Sequence, residues 1–181
     1  EDLSLVSLRG QALLIGVIGF IGITGFGINQ PQWLFGALGV WSYCFWCLWR
    51  GLAVNYRKED VIILDSIGWP TVITLIRGGL LAVIAGFIFL PIPPRPWVYF
   101  PAVAYSMASM LDYLDGKLAR HLHRSTRLGA QMDMSLDSMG ILVAIVVAVN
   151  FGKLPLWYLA VGILRYLFVG AIKWRRRLGR P

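Results

Sequence analysis

Six stretches of this chain, near residues 11–28, 33–49, 70–90, 97–115, 131–150 and 154–172, are each apolar over about the length a helix needs to cross a bilayer. That length is roughly 20 residues. The connections between the stretches are short and polar. A composition of 57% hydrophobic and 14% charged residues, with a mean hydropathy of +0.67, excludes a soluble globular domain. The fold class expected is all-α, a polytopic membrane bundle of six transmembrane helices. The first stretch is too long and Gly-rich for a cleaved signal, and no small-residue cleavage site follows it, so it is expected to be a retained helix.

The bases orient these spans, because cytoplasmic loops carry the Lys/Arg excess. Six spans put both termini on one side, together with thirteen of the seventeen bases: Arg9, Arg50, Arg57, Lys58, Lys117, Arg120, Arg124, Arg127, Lys173, Arg175, Arg176, Arg177 and Arg180. The other side holds Arg95 and Lys153. Arg77 and Arg165 fall inside spans. The formal charge of +8 is thus explained by topology rather than by a nucleic-acid partner, and the run Arg175–Arg177 also suits anionic lipid headgroups. An integral membrane protein with both termini and its active side in the cytoplasm is expected.

The remaining features read mostly as architecture. The connection from Arg50 to Trp69 is the one long enough to hold structure of its own, and its pattern suggests a strip at the membrane interface. Gly16, Gly19, Gly22 and Gly25 form a ridge that permits close helix approach, within the chain or along a homodimer or membrane-complex seam. Cys44 and Cys47 lie inside an apolar span and are expected to pack, binding no zinc. His121 and His123 belong to a basic connection. Trp33, Trp97 and Trp157 stand near span ends, as interfacial belts do.

The acids are more pointed. Four of the nine, Asp112, Asp115, Asp133 and Asp137, flank the junction of spans four and five. Asp112, Asp115, Gly116 and Ala119 share one helical face with Arg120 at its edge, and Gly129, Asp133 and Asp137 share a face of the next helix. Two antiparallel helices joined by about ten residues can aim all four carboxylates at one point. An Asp at a membrane-helix centre costs about 2.5–3.5 kcal/mol on insertion scales, so a cation is needed to neutralise the cluster. Oxygen-only donors favour hard ions such as Mg²⁺ or Mn²⁺, and four carboxylates suit a two-ion site for phosphoryl transfer. Gly116 and Ala119 leave room for a ligand to approach the backbone, and Arg120 can hold a phosphate through two donors. Asp137 is placed to take a proton from an attacking hydroxyl.

The string Asp112-x2-Asp115-Gly116-x2-Ala119-Arg120-x8-Gly129-x3-Asp133-x3-Asp137 resembles the signature of the CDP-alcohol phosphatidyltransferase family at all eight of its specified positions. The resemblance covers about residues 66–173. It implies a membrane enzyme of phospholipid synthesis that moves a phosphatidyl or phosphoalcohol group from a CDP-linked donor, such as CDP-diacylglycerol, to an acceptor hydroxyl with release of CMP. It further implies Asp112, Asp115 and Asp133 as metal ligands, Asp137 as ligand to a second ion and general base, and Gly116, Ala119, Arg120 and Gly129 as lining of the CDP site. Thr71-x2-Thr74-x2-Arg77 echoes an Asn-x2-Thr-x2-Arg element of the family without its Asn, which directs Thr74 toward the nucleotide. For Arg77 and Arg165 the choice lies between snorkelling or ion-paired arginines and contacts to an acceptor phosphate or headgroup, with Arg165 the better candidate for the phosphate.

In the usual six-span core of that family the signature joins the second and third spans; here it joins the fourth and fifth. The expected division is therefore an N-terminal two-span segment and linker, residues 1–65, and a catalytic-core-like segment, residues 66–181, that lacks the family's last two helices or continues beyond Pro181. The alternative to an enzyme is a non-catalytic membrane subunit or a divalent-cation transporter. A transporter would set polar groups near the midplane of several spans, whereas these acids gather at one junction.

Overall fold

The computed structural model describes residues 3–56, 64–121 and 126–177; the side chains at 115, 118–121, 165, 168–170, 172–173 and 176–177 lie outside the description. Six helices follow one another: α1 (Leu3–Gly27), α2 (Pro31–Gly51), α3 (Trp69–Ala85), α4 (Phe100–His121), α5 (Arg127–Asn150) and α6 (Tyr158–Arg177). No strand occurs among the described residues. Their ends have local causes. Pro31 and Pro70 occupy the first turns of α2 and α3, where an N–H would have no partner. Thr126 caps α5, its hydroxyl accepting from the Gly129 N–H at 3.0 Å. At the other end of α5, Gly152 adopts a φ of +65°, and Lys153 N–H reaches back to the Ala148 carbonyl at 2.8 Å, which closes the helix.

The Thr126 cap also alters the expected spacing between the two acid-bearing helices. α4 is described through His121 and α5 begins at Arg127, so no more than the five residues 122–126 separate them, where the sequence suggests about ten. His121 is the last described residue of α4, and His123 lies outside the described residues.

Among the described residues, three segments are long and apolar enough to cross a membrane: α1, Trp69–Phe89 (α3 with a 3-10 turn after it) and α5. The others, at 21, 22 and 20 residues, match them in length, about 30 Å each. Charges dilute the apolar character of α4 and α6 near one end. Leu14, Ile18 and Ile21 of α1, each 60% exposed or more, show the bundle's outer surface to be hydrocarbon, as in an integral membrane protein.

Packing centres on α3, which touches α2, α4 and α5; α1 lies on α2 and α6 on α5. The crossing of α2 and α3 is close because Gly36 has no side chain: a Cβ there would stand 2.1 Å from the Ala85 carbonyl oxygen. Cys44 is buried between α2 and α3 with its thiol free, as expected of a packing residue, and Cys47 is also free. Half of the glycine ridge of α1 packs internally. Gly16 and Gly19 receive the rings of Phe45 and Trp41, and Trp41 Nε1 donates to the Gly16 carbonyl at 3.2 Å. Among the described residues, no neighbouring element comes within 4 Å of where a Cβ would stand at Gly22 or Gly25. Trp97 and Trp157 are exposed at span ends, but Trp33 is buried, wedged over Gly27 and Gly86, so it serves the core rather than an interfacial belt.

Of the linker expected at the interface, residues 57–63 lie outside the described residues. Its flanks are tied down firmly. Asn55, fully buried, donates to the carbonyls of Leu64 and Ser66 at 3.3 and 3.1 Å. Gln11 of α1 donates to the Asp65 carbonyl at 3.1 Å and accepts from the Ile67 N–H at 3.0 Å. Tyr56 reaches α5, its carbonyl accepting from the Arg127 N–H at 3.1 Å and its hydroxyl from the Arg127 guanidinium at 2.8 Å. The two N-terminal helices thus brace the end of the bundle where α3 and α5 begin and α4 finishes.

Candidate active site

That end of the bundle carries the acids. Successive helices run in opposite directions, so the start of α3, the end of α4 and the start of α5 share one end of the bundle. Arg77, Asp112 and Asp133 each lie roughly two turns in from it, with Asp137 one turn deeper. Equal depth on three mutually packed helices forces the four side chains together.

Arg77 is the centre of the arrangement. Its side chain is only 6% exposed, and one terminal nitrogen, Nη1, donates to Asp112 Oδ1 and, at 2.7 Å, to Asp133 Oδ1. The other, Nη2, donates to Asp137 Oδ1. Arg77 is therefore the ion-paired arginine among the readings the sequence left open, and it supplies part of the positive charge that the acid cluster demands. A planar guanidinium suits this task because its donors diverge in a fixed fork.

The carboxylates remain partly open, 35–43% exposed, so the cluster borders an accessible space rather than a sealed core. One oxygen from each of Asp112, Asp133 and Asp137 lies within 4.8 Å of the others. An all-oxygen donor set converging in this way fits a hard divalent cation. Asp115 stands on α4, but its side chain, like those of Ala119, Arg120 and Arg165, lies outside the described residues.

The other expected site residues are placed as follows. Gly116 lies one turn from Asp112 toward the end of α4 and is partly exposed. Gly129 lies one turn from Asp133 toward the start of α5, where a Cβ would come 3.3 Å from the hydroxyl oxygens of both Thr126 and Thr71. Thr74 is buried, and its hydroxyl donates to the Pro70 carbonyl of its own helix at 2.9 Å. Sequence reasoning did not anticipate the cavity of about 210 Å³ that adjoins the acids between α3, α4 and α5, reaching Tyr105 and Ser109 of α4 and Gly140 of α5. Its only sequence signal is that Tyr105 and Ser109 lie two turns and one turn before Asp112, on or near the acid face.

Comparison with known proteins places this geometry. The chain is 37% identical over 115 residues to a CDP-diacylglycerol–glycerol-3-phosphate 3-phosphatidyltransferase of Pseudomonas fluorescens, covering 61% of this chain and 57% of that protein. Proteins of the same name from Salmonella choleraesuis (strain SC-B67) and Escherichia coli (strain K12) are 32% and 31% identical over 116 residues, covering 61% of this chain and 62% of each. The chain thus spans about three-fifths of the length of these relatives. No solved structure matches it. The family model for CDP-alcohol phosphatidyltransferase matches residues 68–178, a segment that runs from the start of α3 to the end of α6 and includes every carboxylate of the centre. The chain therefore belongs to the CDP-alcohol phosphatidyltransferase family.

Proposed function

We propose that the protein transfers a phosphatidyl group from CDP-diacylglycerol to the hydroxyl of a small alcohol, releasing CMP, and that its acceptor is of the glycerol 3-phosphate type. The observation that carries this is the convergence of Asp112, Asp133 and Asp137 on one point at the end of a membrane bundle, within the segment that matches the family. The names of the relatives support the donor and the acceptor.

Asp112, Asp115 and Asp133 would hold Mg²⁺ or Mn²⁺, with Asp137 joining a second ion. Such ions neutralise charge on a transferring phosphoryl group. Arg77 neutralises part of the charge on the carboxylates, and a bound ion would share their oxygens with it. Gly116, Ala119, Arg120 and Gly129 would line the CDP site, with Thr74 beside them, and Arg165 would meet the acceptor's phosphate. Asp137 accepts the proton of the attacking hydroxyl as that oxygen bonds to the β-phosphorus of the donor. The bond from that phosphorus to the bridging oxygen breaks, and CMP leaves with the electron pair.

We further assign all six helices as transmembrane, with the active site and both termini on the cytoplasmic side. The distribution of bases supports this orientation. It places the carboxylates where a soluble acceptor meets a lipid donor entering sideways. Residues 66–181 would be the catalytic core, in accord with the family match, and residues 1–65 its brace.

The test is CMP release from CDP-diacylglycerol by the full chain in lipid nanodiscs, with glycerol 3-phosphate and other alcohols as acceptors. Release that needs Mg²⁺ or Mn²⁺ and stops on chelation is expected; none with any acceptor would sink the reading. Ligation is tested separately. Asp133→Ala should weaken Mn²⁺ binding by at least about tenfold, since losing a direct ligand exceeds the 10–100-fold cost of losing an outer partner only in degree. Mn²⁺ affinity unchanged in calorimetric titration would remove Asp133 from the ligand set.

A further inference from the structure

We infer that the cavity between α3, α4 and α5 seats the hydroxyl-bearing carbons of the acceptor, with Ser109 and Tyr105 selecting short polyols; the inference rests on the transfer reaction proposed above. Direction is the first argument. Tyr105 and Ser109 precede Asp112 on α4 and Gly140 follows Asp137 on α5, so in these antiparallel helices the cavity lies on the side of the acids away from Gly116 and Gly129. An in-line displacement brings the entering oxygen in opposite the leaving one. With the nucleotide over the two glycines, the acceptor's oxygen enters from the cavity, whose wall includes Asp137.

Size and charge narrow the occupant. At about 210 Å³ the cavity is somewhat larger than the ~150 Å³ site that takes up a benzene molecule, which suits six to nine heavy atoms and not a pair of acyl chains. Arg77 is the one cation in its described lining and is already bonded to three carboxylates, two of which, Asp112 and Asp137, also line the cavity. A phosphate is unwelcome there, whereas neutral hydroxyls are not. Ser109 donates its own proton to the Tyr105 carbonyl at 3.0 Å, so its oxygen lone pairs face a ligand as acceptors. The acceptor's phosphate then stays outside while its carbinol end enters.

Ser109→Phe, a bulky replacement at an exposed wall position, tests this in nanodiscs by CMP release with CDP-diacylglycerol and glycerol 3-phosphate. The KM for glycerol 3-phosphate should rise about tenfold or more while that for the donor stays within about twofold, the pattern of lost acceptor binding. Ile141→Phe, which narrows the cavity from α5, should do the same and guards against a local folding defect in the first variant. An unchanged acceptor KM in both variants overturns the inference. A rise confined to the donor KM also overturns it, by giving the cavity to the diacylglycerol. A wild-type chain that releases no CMP sinks the transfer reaction itself, an outcome separate from either.

Discussion

Asp137→Asn is expected to lower the rate of CMP release by about 10²–10⁴-fold while leaving the chain folded and its affinity for CDP-diacylglycerol close to wild type. The magnitude is that of removing a positioned general base. Asparagine keeps the shape of the side chain and can still accept from Arg77 Nη2, so the ion-paired centre loses one charge but not its packing. The informative comparison is therefore kcat against donor KM and melting temperature in the same preparation. A loss in kcat alone, with Mn²⁺ affinity close to wild type, assigns the proton to Asp137. Release within about tenfold of wild type would show that another group takes it, and equal losses in stability and rate would reduce Asp137 to a structural partner of Arg77.

Sequence reasoning could place this acid because the helical period does most of the work. Asp112 and Asp115, or Asp133 and Asp137, at three- and four-residue spacing must share a face, and the membrane forbids those faces from pointing at lipid. The same logic recovered the all-helical fold and the rough positions of the six described helices, since uninterrupted apolar length is a one-dimensional signal. It did not recover the partner of the acids. Arg77 is 35 residues from Asp112 in the chain, and only the packing of α3 between α4 and α5 sets them at one depth. The cavity beside them was hidden for the same reason, its walls coming from three helices. Asn55 and Gln11 passed unnoticed because their roles depend on backbone carbonyls of a linker that shows no periodicity. Trp33 misled in the opposite direction: proximity to a span end suggests an interfacial belt, but Gly27 and Gly86 open a slot that buries the ring.

Removing the positive charge of Arg77 is expected to give the largest stability effect in the site. In Arg77→Gln, three carboxylates with oxygens inside 4.8 Å of one another face each other without their cation. At an effective dielectric of 20, two unit charges at that separation repel by about 3 kcal/mol. The carboxylates are more than a third exposed, so water and salt screen much of this, and a net loss of about 2 kcal/mol is the reasonable expectation. For a chain of this size that corresponds to a fall of about 4–8 °C in melting temperature, measured with a chelator present. Arg77→Lys should lie between the two, because an ammonium restores the charge but not the fork that spans three acids. Mg²⁺ supplies the discriminating arm. A divalent ion held by the same carboxylates stabilises the folded chain through linkage, and it should raise the melting temperature of Arg77→Gln more than that of wild type, where the guanidinium competes for the same oxygens. Equal melting of variant and wild type in chelator would show that Arg77 is not the counter-ion of the cluster. A Mg²⁺ response that is smaller in the variant would show instead that the arginine helps to build the ion site rather than to share its ligands.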